Sequence, residues 1–172
     1  MSPIKALLAL AIASQLTACG WGHRLATATA EVFYPPIKTL HLDITARASS
    51  NTDPSHMGAL AVPTVVRVYQ LADAARFERA SYDALLDASE RALGDDRLDE
   101  HSLVIKPGEG APLDAPLAEG ARFVGVVGLF RQPQEAAGAW RLLVPRDQLS
   151  RNQARRVIVA DNRLALQPPE ED

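Results

Sequence analysis

The chain has 172 residues, 47% of them hydrophobic, with 18 basic against 21 acidic side chains. That is enough for one ordinary domain with a real core, and the acidic balance argues against a nucleic-acid binder, which needs a basic face. Its single cysteine, Cys19, leaves no intramolecular disulfide, so the fold must stand on packing alone.

The N-terminus has one cation at Lys5, an apolar run from Ala6 to Leu16, and then Leu16-Thr17-Ala18-Cys19. The run is too short for a permanent bilayer span and has the order of a bacterial export signal. Its last four residues resemble the lipobox of bacterial lipoproteins, in which small residues admit the peptidase and the cysteine thiolate accepts a diacylglycerol before cleavage. Residues 1–18 are therefore expected to be removed, and Cys19 is expected to carry the covalent diacylglycerol and N-acyl lipid. Removing those 18 residues leaves 154, with 17 basic and 21 acidic side chains and a formal charge of −4. Acyl chains contribute ~0.8 kcal/mol per buried methylene, so two or three chains anchor the protein permanently. Gly20 follows the cysteine where an aspartate would signal inner-membrane retention, which points to the periplasmic face of the outer membrane. No later apolar stretch is long enough to span a bilayer.

Residues 19–30 read as a lipidated tether, 31–166 as the folded domain, and 167–172 as an acidic tail expected to be disordered. Ala28–Phe33 alternates weakly. Lys38–Ala48 alternates cleanly, with Leu40, Leu42, Ile44 and Ala46 on one face, as a half-buried strand does. Ser49–Pro63 is a long loop of turn formers, followed by a strand over Thr64–Leu71 rich in β-branched residues. The period then changes. Asp73–Phe77 predicts a short helical turn, and Tyr82, Leu85, Leu86, Ser89 and Leu93 recur at helical spacing after the N-cap candidate Ser81, until Gly94 stops the run. Asp95–Glu100 reads as a polar connector, Ser102–Lys106 as a strand, and Pro107–Gly120 as irregular and exposed. Ala121–Phe130 is apolar on both faces, as in a central strand covered on both sides, with the Ser81–Leu93 helix expected near one of them. Gln132–Gly138 connects to strands at Trp140–Val144, Arg155–Ala160 and Arg163–Leu166. Short strands, one helical insertion and no βαβ alternation predict an all-β, antiparallel two-sheet sandwich.

Candidate chemistry is sparse. His23, His41, His56 and His101 lie far apart with no cysteine partner, and no nucleophile elbow or phosphate-cradling glycine loop is present. No catalytic residue, metal ligand or cofactor beyond the Cys19 lipid is expected. Arg67, Tyr69 and Trp140 read as ordinary strand and core residues, and Arg146, Arg151, Arg155 and Arg156 as solvated cations. The Ser49–Pro63 loop is either a solvated connection or a contact region. Its length without regular structure, and the apolar Met57, Leu60 and Val62, favour contact. A periplasmic carrier of a hydrophobic small molecule, or a cell-wall binder using the arginines, are the rival functions.

Several strings together carry a resemblance. They are the lipobox, Asn51-x-Asp53, Pro63-Thr64-Val65-Val66-Arg67-Val68-Tyr69-Gln70-Leu71, a helical segment closing at Leu93-Gly94-Asp95, Pro107-Gly108, Phe123 to Arg131, and Trp140-Arg141. In that order, from Thr39 to Val144, they resemble the type VI secretion lipoprotein family TssJ, also called VasD or SciN. The resemblance implies a transthyretin-like sandwich with a helical insertion at about residues 73–94, anchored in the outer membrane. It also implies binding to the periplasmic C-terminal region of TssM, and through it an indirect link to TssL. The family's contact loop falls on Asn51, Asp53, Met57, Gly58, Leu60, Val62 and Pro63. The loop departs from the family pattern at Thr52 and at Ala59-Leu60-Ala61-Val62, so its place carries over and its individual contacts do not.

Overall fold

The computed structural model describes residues 37–53 and 60–168. The signal, the tether, the weak Ala28–Phe33 alternation, loop residues 54–59 and tail residues 169–172 lie outside that description. Among the described residues, eight strands make two four-stranded sheets. One contains β1 (Thr39–Ala46), β4 (Gly110–Pro116), β7 (Arg155–Ala160) and β8 (Arg163–Leu166), in the order β4-β1-β7-β8. The other contains β2 (Thr64–Leu71), β3 (Arg97–Ile105), β5 (Phe123–Leu129) and β6 (Arg141–Pro145), in the order β3-β2-β5-β6. Every pairing is antiparallel except β1 with β7, which run parallel from Leu42 opposite Arg155 to Ala46 opposite Val159. The first sheet is thus mixed where the sequence reads as wholly antiparallel. The β6–β7 connection crosses between the sheets and returns β7 in the direction of β1.

The alternation of β1 sets the core. Leu40, Leu42, Ile44 and Ala46 are buried and share the sandwich interior with Val66, Val68, Val157 and Val159. Each of these leucine, isoleucine and valine side chains contributes roughly 1.5–3 kcal/mol through burial. β5 is buried from Val124 to Gly128, as its double-sided apolar pattern requires. Its outer face is covered by the helical insertion, α1 (Ala75–Arg79) and α2 (Tyr82–Leu93). Gly125 makes the contact possible, because a Cβ there would lie 2.6 Å from the Phe77 ring. The helix expected at this face is present, but the residue seated on Gly125 comes from the shorter α1 before it. Tyr69 packs against the same ring, with centroids 6.3 Å apart.

Helix α2 starts as its sequence dictates, with the Ser81 hydroxyl accepting from the Ala84 N–H at 3.2 Å. It ends at Gly94, whose φ of 53° suits glycine. A kink interrupts it at Ala88. In the turn before the kink, Arg67 of β2 donates to the Leu85 and Leu86 carbonyls at 2.7 and 3.0 Å. Arg67 is therefore a helix-capping group rather than the solvent-facing residue its alternation predicts. Arg141 of β6 does the same for α1, donating to the carbonyls of Phe77, Ala80 and Glu78 at 2.7–2.8 Å. Burial lowers its pKa, with Glu78 opposing. Guanidinium forks suit such clusters of orphan carbonyls.

Two strand readings need correction. β3 starts at Arg97, inside the expected polar connector, because it is an edge strand whose charges pair locally, as in Arg97 to Glu100 at 2.7 Å. β4 occupies part of the stretch expected to be irregular. Its prolines, Pro112 and Pro116, are tolerated on a sheet edge, and Ala111, Leu113 and Ala115 alternate between them.

Candidate docking site

Strand directions sort the connections into two ends. Ile37, residues 117–122 and 146–154 lie at one end, tied by Leu117 N–H to the Lys38 carbonyl and by Arg146 to the carbonyls of Ala121 and Ile37. Residues 47–63, 106–109, 130–140 and the Asp161-Asn162 turn lie at the other. Ile37 therefore lies at the end opposite the base of the long loop.

The base of that loop is built on Asn51. Its φ of 50° is the left-handed conformation that asparagine tolerates better than most residues. Its amide nitrogen donates to the Pro63 carbonyl at 3.0 Å, closing the loop upon itself, and its amide oxygen accepts from the Arg131 N–H at 2.8 Å. Asn162 donates to the Thr52 carbonyl at 2.7 Å, and Gln132 donates to the Asp53 carboxylate at 2.7 Å. Asp161 and Asn162, with φ of 50° and 58°, form the two-residue hairpin between β7 and β8 that positions the Asn162 amide. From the other side, the Tyr82 hydroxyl donates to the Phe130 carbonyl at 2.7 Å, and its ring meets Trp140 edge-on at 5.2 Å. Phe130 and Arg131 are thus gripped by α2 and by the loop base together. Burial raises the Tyr82 pKa, and the bond to Phe130 opposes that shift.

The sequence-derived site residues divide accordingly. Asn51 is 3% exposed and spends its side chain on the loop's own shape. Asp53 is engaged with Gln132, Val62 is half-buried, and Pro63 is exposed with its carbonyl held by Asn51. Leu60 is 83% exposed, a large apolar side chain standing in water. Met57 and Gly58 lie outside the described residues. The partners of the loop base, Arg131, Gln132 and Asn162, come from 79 to 110 residues away, and only the Asp-Asn turn pair hinted at any of them.

Both described histidines lie beside acidic side chains. His41 meets Asp114 at 2.5 Å on the outer face of the first sheet, while His101 lies 3.0 Å from Asp99 on β3. No group of three or more histidine, cysteine or acidic residues among the described residues could hold a metal ion. Trp140 is a core residue, 3% exposed. The arginine cluster is not simply solvated, because Arg146 caps backbone carbonyls and Arg155 is 8% exposed.

Two facing four-stranded sheets with a helical insertion over one of them define a β-sandwich of the lipoprotein-domain class. The family of type VI secretion lipoproteins described as VasD, EvfM and TssJ matches residues 38–166, and the chain belongs to that family. A chain of the structure described as the T6SS protein TssM C-terminal domain from EAEC is 35% identical, with a TM-score of 0.69, covering 77% of this chain and 100% of that one. A chain of a structure described as the type VI membrane complex is 36% identical, with a TM-score of 0.71, covering 77% and 99%. Serratia marcescens Lip, described as a membrane-bound component of the type VI secretion system, shares the fold at 22% identity and a TM-score of 0.66, covering 76% and 98%. A comparison with curated proteins finds no match. The family is one of structural lipoproteins of the secretion system's membrane complex and is not a known enzyme family.

Proposed function

We propose that this chain is held at the periplasmic face of the outer membrane by lipid on Cys19 and captures the periplasmic C-terminal region of TssM with its loop-bearing end. The observation that carries this reading is the placement of the Asn51-stapled loop, with Leu60 exposed, at the end opposite Ile37. The relatives found in structures described by TssM and by the membrane complex support the same partner. Confinement to one narrow compartment raises the effective concentration of both partners, so a modest interface suffices. No turnover enters this role.

The rivals draw less support. A carrier of hydrophobic ligands needs an apolar cavity, and Leu40, Leu42, Ile44, Val66, Val68 and Val126 fill the space between the sheets. A cell-wall binder needs freely presented cations, and Arg146 is already engaged with backbone.

The test is capture of a TssM periplasmic region from the same cell by the soluble domain, residues 20–172. Replacing residues 54–61 with a Gly/Ser linker keeps the Asn51 and Pro63 staple, so it should abolish capture while leaving thermal stability unchanged. Full capture by that variant would place the interface elsewhere. Cys19→Ser should yield a folded domain that no longer fractionates with the outer membrane. If it stays with the membrane, the anchor is not Cys19.

A further inference from the structure

A cleft of about 680 Å³ opens where β7 begins, lined by Asp43 of β1, Asp147, Leu149 and Ala154 of the β6–β7 connection, Arg155 and Pro168. The β1–β7 register sorts its charges. Arg155 stands opposite the core residue Leu42, so it enters the end of the sandwich and is buried, at 8% exposure. Its Nε has no hydrogen-bond partner, and its guanidinium forms no ion pair among the described residues. Asp43, the next residue of β1, faces the other way, is half-buried, and likewise pairs with no described cation. Arg156, which stands opposite it in the register, is already engaged.

Both groups are costly where they stand. A guanidinium withdrawn from water without an acceptor loses hydration that nothing in the fold returns, and a half-buried carboxylate without a donor loses part of its own. They do not compensate each other, because the register turns them to opposite faces at the start of β7. A simple anion would meet repulsion from Asp43 and Asp147, and a simple cation would meet it from Arg155. A ligand that brings a carboxylate to Arg155 and an ammonium to Asp43 removes both costs at once, through charge-assisted bonds in a partly dry site. Leu149 and Pro168 give that ligand an apolar wall. A few convergent polar groups on apolar walls, in a space of this size, are what small-molecule sites share. We infer that the cleft binds a small zwitterion, an amino acid or short peptide whose carboxylate sits on Arg155 and whose ammonium sits on Asp43. Residues 146–154 lie at the end of the sandwich opposite the long loop, so this site is separate from the docking surface and does not rest on it.

Titration of the full chain in detergent micelles, read by backbone amide shifts, tests this with L-leucine and its two singly charged counterparts, 4-methylpentanoate and 3-methylbutylamine. L-leucine should move the amides of Leu149, Ala154 and Arg155 with a Kd of about 1 mM or below. Each counterpart lacks one charge-assisted contact and should bind about tenfold more weakly or worse. Asp43→Asn alters a partly exposed strand residue, so it keeps the fold where Arg155→Gln could lose it. It should weaken L-leucine about tenfold and leave 4-methylpentanoate as tight as before or tighter. No saturable shift with L-leucine at about 20 mM would overturn the inference. So would equal affinity for all three probes, which would show an apolar recess that takes up any small additive. An equal loss of L-leucine and 4-methylpentanoate in Asp43→Asn would overturn it too, since Asp43 would then hold the shape of the cleft and not a ligand's ammonium.

Discussion

The two excursions from the sheets, residues 72–96 and residues 47–63, are attached to the body in opposite ways. The first buries Phe77, Tyr82, Leu85 and Leu93 and is locked by Arg67 and Arg141, which satisfy helix carbonyls from the sheet below. The second, in its described residues, is held at its base by backbone bonds and by the side-chain amides of Asn51, Asn162 and Gln132, and leaves Leu60 in solvent. One excursion closes a sheet face; the other holds a surface open. The difference shows how side-chain bonds to backbone can serve either purpose, depending on whether apolar side chains accompany them inward.

Breaking the closed region should have the largest effect. Phe77→Ala removes the ring seated on Gly125 and against Tyr69, and should cost about 3–5 kcal/mol in chemical unfolding. A loss below about 1 kcal/mol would mean that the face collapses around the gap and that α1 is not the lock. Arg141→Ala comes next. It strands the three carbonyls of Phe77, Glu78 and Ala80, and hydrogen bonds to charged groups predict a loss of about 2–3 kcal/mol. Arg141→Lys should recover little, because an ammonium cannot reproduce the fork; full recovery would show that charge near the helix end matters more than geometry.

Much of this was legible from the residues. The alternation of β1, the β-branched run of β2, the double-sided apolar run of β5, and the Ser81 cap with the Gly94 stop fix their elements, because each depends on local periodicity or on a capping side chain. What was not legible depends on distant partners. β4 is hidden because Pro112 and Pro116 signal irregularity, and only the sheet edge makes them acceptable. Arg67 sits between two valines as any surface residue would, and nothing local announces the kinked helix above it. In the candidate site, the exposure of Leu60 follows from its setting among turn formers. The burial of Asn51 does not, since the Arg131 N–H that its side-chain oxygen accepts arrives only when the end of β5 reaches the loop.

Tyr82 joins the two regions, and its variant sharpens the comparison at a smaller scale. Tyr82→Phe leaves the Phe130 carbonyl unpaired and should cost about 1–1.5 kcal/mol. Burial raises the folded-state pKa of this phenol above its ordinary 10.0, so the folded state favours the protonated form. The corresponding stability is fully present below pH 10 and is lost as pH rises through the raised folded value. The wild type should therefore lose stability above pH 10 more steeply than Tyr82→Phe does. Parallel alkaline limbs would assign that loss to other groups.

Leu60→Ser should change stability least, by no more than about 0.5 kcal/mol, because its side chain is already 83% exposed and gives up almost no packing. Its effect should fall on recognition instead. An apolar anchor that becomes buried only against a partner contributes to the complex and not to the free fold, so capture of the TssM periplasmic region should weaken about tenfold or more. Calorimetry of the free domain and titration with the partner separate the two quantities. A stability loss above about 1 kcal/mol would show that Leu60 packs on its own domain in solution. The loop would then resemble the helical insertion, and the contrast between a closed face and an open surface would fail at the residue where it is sharpest.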